Sequence, residues 1–167
     1  VALCLDDNGI PATAAGRIAV AEKIIASAAE YGIESRNIVV DPLALTISTG
    51  ADNAAIACEI IRTMKARGIN TVMGVSNISF GLPQREIVNS NFFTMAMQSG
   101  LTAAIINPNS AAMMRSYYSY RALAALDEHC GDYIEQAARL AIPKAGVGGA
   151  SGAGAAGSAG SGAPAAG

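Results

Sequence analysis

Tryptophan is absent, aromatic residues make up 5% of the chain and charged residues only 14%. Eleven basic residues stand against 13 acidic ones, a formal net charge of −2. A chain so poor in basic charge, with no aromatics interleaved among its cations, offers no footprint for nucleic acid. Long apolar runs are also missing, although 51% of the 167 residues are hydrophobic. Nothing reaches the roughly 20 consecutive apolar residues a bilayer span needs, and no secretory leader is visible. Cys4, Cys58 and Cys130 are odd in number and far apart, which fits neither a disulfide framework nor a zinc spacing. Buried, reduced thiols in a cytoplasmic protein are the expectation. The single histidine, His129, is remote from every polar cluster considered below. Histidine-based metal hydrolysis and a Ser/His/Asp triad therefore have no candidate. An initiator methionine is lacking too, and Val1 already opens an apolar run, so the chain is expected to begin inside a larger protein.

What is present is a repeat of strand and helix. Apolar runs over 1–5, 37–43, 72–75 and 102–107 read as strands, each ending in polar residues. Helical spacing follows each of them. It is carried by Ile18, Ala21, Ile25 and Ala28 after Thr13, then by Ile56, Ile60, Ile61 and Met64. A third helix over 84–99 is expected to bury Ile87, Val88, Phe92, Met95 and Ala96, with Gly100 ending it. A fourth, capped by Ser110, carries Met113, Met114, Tyr117 and Leu123, and a short helix is expected over 132–140. Four βα units at a period of roughly 35 residues imply a parallel sheet with right-handed crossovers. No glycine-rich phosphate fingerprint follows any of these strands, as an open doubly wound sheet would usually show. A (β/α)8 TIM-type barrel places functional residues on several strand ends, as this chain does, but needs about 250 residues. The expectation is thus an α/β chain holding the carboxyl-terminal half of a barrel over 1–142, its first half preceding Val1. The Gly/Ala/Ser-rich tract over 143–167 is expected to be a flexible linker.

The strand ends carry the chemistry. Asp6, Asp41, Asn77 and Asn107 lie at or just past the four strands and converge on one mouth in a barrel. Two carboxylates and two carboxamides suit a neutral, polar heterocycle with adjacent donors and acceptors. A carboxylate such as Asp41 can accept two parallel hydrogen bonds from a guanidine-like edge. Turn formation by Asp41 before Pro42, and by Asn77 in its glycine-rich loop, is the competing structural reading.

At these residues the chain resembles a family. Asp41-Pro42-Leu43, the stretch Gly74-Val75-Ser76-Asn77-Ile78-Ser79-Phe80-Gly81-Leu82-Pro83 with Arg85, and Ile105-Ile106-Asn107-Pro108 are similar to the pterin-binding barrel of cobalamin-dependent methionine synthase. Methyltetrahydrofolate:corrinoid methyltransferases share the pattern. The resemblance implies methyl transfer from 5-methyltetrahydrofolate to cob(I)alamin, with the cobalamin on a separate corrinoid-binding domain in cis or in trans. Zinc would belong only to a homocysteine module that this chain lacks. Asp41 would hold the pyrimidine edge of the pterin and Asn77 would contact N5 as the catalytic group. Ser76, Arg85, Asp6 and Asn107 would complete the folate-binding set. A stand-alone methyltransferase and a non-catalytic interaction fragment are the alternatives. Dihydropteroate synthase, which shares the fold without the Ser-Asn-Ile-Ser segment, ranks behind them. The fragment by itself is expected to be inactive.

Overall fold

Each strand of the chain is followed by a helix that packs back on the same side of one sheet. The computed structural model describes residues 1–141; the linker expected over 143–167 lies outside the described residues. The order is β1 (Ala2–Leu3), α1 (Ala14–Glu30), β2 (Val39–Asp41), α2 (Asn53–Ala66), β3 (Asn70–Gly74), α3 (Arg85–Ser99), β4 (Ala103–Ile105), α4 (Ala111–Leu123) and α5 (Gly131–Ala137). All three pairings are parallel, and the strands lie in sequence order, β1-β2-β3-β4. A doubly wound sheet reverses its order at a switch point. Here nothing reverses, so the four units form part of a TIM-type barrel wall.

The pleat divides the sheet into two unlike faces. Ala2, Val40 and Thr71 stand level with one another, as do Met73 and Ala104, and these side chains point toward the helices. There Val40 and Met73 meet the stripe Ile56, Ile60, Ile61 and Met64 of α2, the last three of which are fully buried. Burying each such side chain contributes roughly 1.5–3 kcal/mol, which fixes α2 against the middle of the sheet. The alternate residues face the other way. On that second face Leu3 stays 43% and Ile105 65% exposed.

Helix boundaries follow local chemistry. The Thr13 hydroxyl accepts a hydrogen bond from the Gly16 amide at 3.1 Å, and Ser110 caps α4 through the Met113 amide at 3.3 Å, each satisfying one unpaired helix donor. The end of α3 is closed by Gly100 at φ +103°. Its amide and that of Leu101 return to the Ala96 carbonyl, a left-handed close that favours glycine. A Cβ on Gly100 would stand 2.1 Å from Cδ of Lys65. Because the lysine can move, the backbone strain decides the cost, and Gly100→Ala should lose about 1–2 kcal/mol of stability. A urea titration of the two forms, read as the shift in midpoint, checks this.

Several elements differ from the sequence reading. The strands are shorter than expected, since 1–5, 37–43 and 102–107 pair only over Ala2–Leu3, Val39–Asp41 and Ala103–Ile105. Asp6 closes a tight turn with Gly9 just past β1, as its place after the apolar run implies. Val75 belongs to a 3-10 turn over Val75–Ser79 and not to β3. Helix α3 buries Ser90, Phe92, Phe93, Ala96 and Ser99, while Ile87 and Met95 are 57% and 49% exposed. Five residues at 100° each put Ile87 roughly 140° round the helix from Phe92, too far to share its stripe. Leu123 is exposed, α5 stops at Ala137, and Cys130 is exposed whereas Cys4 and Cys58 are buried. No helix among the described residues is long and apolar enough to cross a membrane.

Candidate functional site

The carboxyl ends of the strands gather the polar residues in two neighbouring groups. Asp41 ends β2 level with Leu3, on the face turned away from the helices. It is half-buried, and burial pushes its carboxyl above the ordinary value, opposed by a hydrogen bond from the Leu43 amide. That bond, 2.8 Å to Oδ1, occupies one carboxylate oxygen. Leu43 takes φ +58° to make it, a costly backbone for a leucine.

Asn77 sits in the 3-10 turn after β3. Gly74, the last residue of β3, has no side chain, and the Asn77 carboxamide lies over the gap. A Cβ on Gly74 would be 3.4 Å from Asn77 Nδ2. Strand residues alternate between faces, so with Met73 buried toward the helices, Gly74 opens onto the opposite face. The register Val39↔Asn70 and Val40↔Thr71, continued one step, sets Asp41 beside Val72 on that face. Asp41 and the Asn77 amide thus share one side of the sheet on adjacent strands. Asn77 is exposed, and its carboxamide makes no hydrogen bond among the described residues.

Arg85 is spent on holding this turn. Its Nε donates to the Ser79 hydroxyl at 3.0 Å and its Nη2 to the Ser76 carbonyl at 2.8 Å, with the guanidinium over the Phe80 ring. Ser76, Arg85 and Asn107 also line a cleft of about 380 Å³ between the ends of β3 and β4. Asn107 shapes its own loop through a hydrogen bond from the Asn109 amide to Oδ1 at 3.0 Å. Asp6 is not gathered into that cleft. Its Oδ1 accepts from the Asn8 amide at 2.8 Å in an exposed turn. A second cleft of about 400 Å³ runs between Phe93, Met97, Leu101, Met114 and Tyr117. It is apolar and holds none of the strand-end polar groups, so it offers no comparable chemistry.

Three residues of this region escape sequence reasoning. Glu86 accepts a hydrogen bond from the Ser110 hydroxyl at 2.5 Å and so ties the start of α3 to the cap of α4. Asn89, also in the cleft wall, keeps its Oδ1 buried without a partner among the described residues. Arg17 is 1% exposed beneath the Asp41 corner. The available signal for Arg17 was its place in the stripe Ala14, Arg17, Val20, Ala21, where a charge interrupts an apolar face. Cys4 lies close by, and burial, reinforced by Asp41, pushes its thiol up to about 11, so it stays protonated.

A family model described as pterin binding enzyme matches residues 11–107. Among curated proteins, the chain is 32% identical over 136 residues to a methylcorrinoid:tetrahydrofolate methyltransferase of Eubacterium limosum, covering 80% of this chain and 50% of that protein. It is likewise 32% identical over 136 residues to the methionine synthases of Mycobacterium tuberculosis and Mycobacterium leprae, covering 76% of this chain and 11% of each of them. The chain thus spans half the length of the first relative and about a tenth of the other two.

Proposed function

Because the chain belongs to the pterin-binding enzyme family, we propose that its strand ends hold a reduced folate and that it moves a methyl group between folate N5 and a corrinoid. The observation that carries this reading is the pairing of two groups on one sheet face. One is the half-buried Asp41 carboxylate with an oxygen to spare, the other the unengaged Asn77 amide over Gly74. A flat bicyclic ring can span adjacent strands, roughly 4.8 Å apart, with its guanidine-like edge on Asp41 and N5 near Asn77. Gly74 lets the ring approach the backbone. Ser76 and Asn107 border the ring, Arg85 fixes the turn, and Asp6 stands at the rim.

The chemical difficulty is the leaving group. A tertiary amine departs poorly until N5 is protonated. A carboxamide that hydrogen-bonds better to the protonated nitrogen stabilises the transition state more than the ground state. As the carbon–nitrogen bond breaks, its electron pair stays on N5, which leaves as a secondary amine carrying the added proton. The corrinoid, carried by another domain in cis or in trans, supplies the two-electron nucleophile that takes the methyl group. The direction we propose is folate to corrinoid, as part of a methionine synthase. A stand-alone methyltransferase is the second reading, favoured by the larger share of the Eubacterium protein that this chain covers. The name of that relative runs the transfer from corrinoid to folate. The same amide serves both directions, since a reaction and its reverse share one transition state.

The test uses the complete polypeptide that contains these residues. It should bind 5-methyltetrahydrofolate in equilibrium dialysis and, with cob(I)alamin added, yield tetrahydrofolate as the cob(I)alamin absorbance disappears. Absence of folate binding at saturating ligand would overturn the reading.

A further inference from the structure

We infer that Arg17 is a positioning residue for Asp41, clamping the Asp41-Pro42-Leu43 corner so that one carboxylate oxygen stays free for a ligand. The inference rests on the folate reading for its consequence, but its geometry stands alone. Arg17 leaves the first turn of α1 and runs beneath the end of β2. Its Nε donates to the Pro11 carbonyl at 2.8 Å, and its Nη1 donates to the carbonyls of Pro42 and Leu43 at 3.2 and 2.9 Å. Pro11 and Pro42 lie in non-helical segments whose carbonyls Arg17 reaches, the second of them buried. A guanidinium presents its donors in a fixed fork, and two of its nitrogens satisfy all three acceptors.

Satisfying carbonyls could be the whole role, were it not for Leu43. That residue is held at both polar ends: Arg17 takes its carbonyl, and its amide goes to Asp41 Oδ1. Between those bonds lies the left-handed backbone at φ +58°, a conformation a leucine keeps only when its surroundings impose it. Release of the carbonyl would let Leu43 relax to negative φ, swinging its amide off Asp41 and freeing the carboxylate to rotate. The arrangement is expensive. No carboxylate forms an ion pair with Arg17 among the described residues. Burial works against its charge, eased at a distance by Asp52, and a buried cation hydrogen-bonded to carbonyls is costly against an apolar residue of similar volume. Such a cost, placed directly under a strand-end acid, is the mark of a group that orients another.

The test is made on the complete polypeptide with Arg17→Lys, which keeps the charge but loses the fork, and with Arg17→Lys combined with Leu43→Asn, since asparagine tolerates positive φ. The first readout, taken without ligand, is amide exchange. In the native protein the Leu43 amide should be protected, and Arg17→Lys should lose about tenfold of that protection, the equivalent of one hydrogen bond, with α3 and β3 unchanged. The second is affinity for 5-methyltetrahydrofolate, expected to fall about tenfold in Arg17→Lys and to recover at least half of that loss, on a logarithmic scale, in the double variant. Native-like affinity and protection in Arg17→Lys would overturn the inference. So would loss of protection spread evenly over α3 and β3, or an unprotected Leu43 amide in the native protein, a measurement that needs no variant to fold. A native protein that binds no folate yet protects Leu43 would remove the folate reading and leave the clamp.

Discussion

Asn77→Ala should slow methyl transfer about 100- to 1,000-fold, the usual loss when one donor or acceptor aimed at developing charge is removed. Affinity for 5-methyltetrahydrofolate should change far less. The split follows from where the amide acts. In the ground state N5 is a neutral, methylated amine that needs little from a neighbour; in the transition state it carries a proton and a developing electron pair. Stability should hardly move, because the side chain is exposed and makes no hydrogen bond among the described residues. Single-turnover transfer with folate saturating, set beside dialysis of the same variant, separates the two effects. Equal turnover by variant and native protein would take Asn77 out of the mechanism.

The second large effect concerns Asp41. Asp41→Asn keeps the shape and can still accept from the Leu43 amide, but it presents an N–H₂ where a pterin edge also donates. The expected loss is about 2–3 kcal/mol, or roughly 30- to 150-fold in Kd. Its pH dependence has a definite sign. Burial raises the carboxyl above the ordinary 3.8, so the folded state binds a proton more readily than the unfolded chain does. Stability from this group is therefore greatest below 3.8 and declines as pH rises through the raised folded value. Folate affinity runs oppositely, since the ionised form is the acceptor: it should fall as pH drops through that same value. Asn at 41 should abolish both trends and leave the protein no less stable at neutral pH. Titrating affinity from neutral pH downward checks it, and an unchanged Kd at pH 7 would contradict the role given to Asp41. A site that gains stability when its charge is removed is working against the fold, as binding groups commonly do.

The sequence made the repeat and the middle of the sheet legible because their signals are local. Ile56, Ile60, Ile61 and Met64 recur at helical spacing, and all four are buried as that spacing predicts. Thr13 and Ser110 cap the helices they precede. Strand length was not legible, because a ladder stops where its neighbour bends away, and the neighbour is some 30 residues distant. The buried face of α3 is not legible because apolar residues occur nearly all round that helix, so Ile87 and Met95 fit the pattern as well as Phe93 does. At the site, Asp41 and Asn77 announce themselves beside proline and glycine. Arg17 does not, for its partners are three carbonyls, and carbonyls are the same in every sequence.

The hold of Arg85 on the turn has a mechanical consequence. Arg85 is the first residue of α3, and through the Ser76 carbonyl and the Ser79 hydroxyl it grips the segment on both sides of Asn77. The amide therefore rides with a fifteen-residue rod packed on the core, not with a swinging connection. Its positional jitter is set by that rod and by Phe80, whose ring lies under the Arg85 guanidinium and whose carbonyl accepts from the Thr46 and Ser48 hydroxyls, so the reacting group stays in register as a ligand arrives.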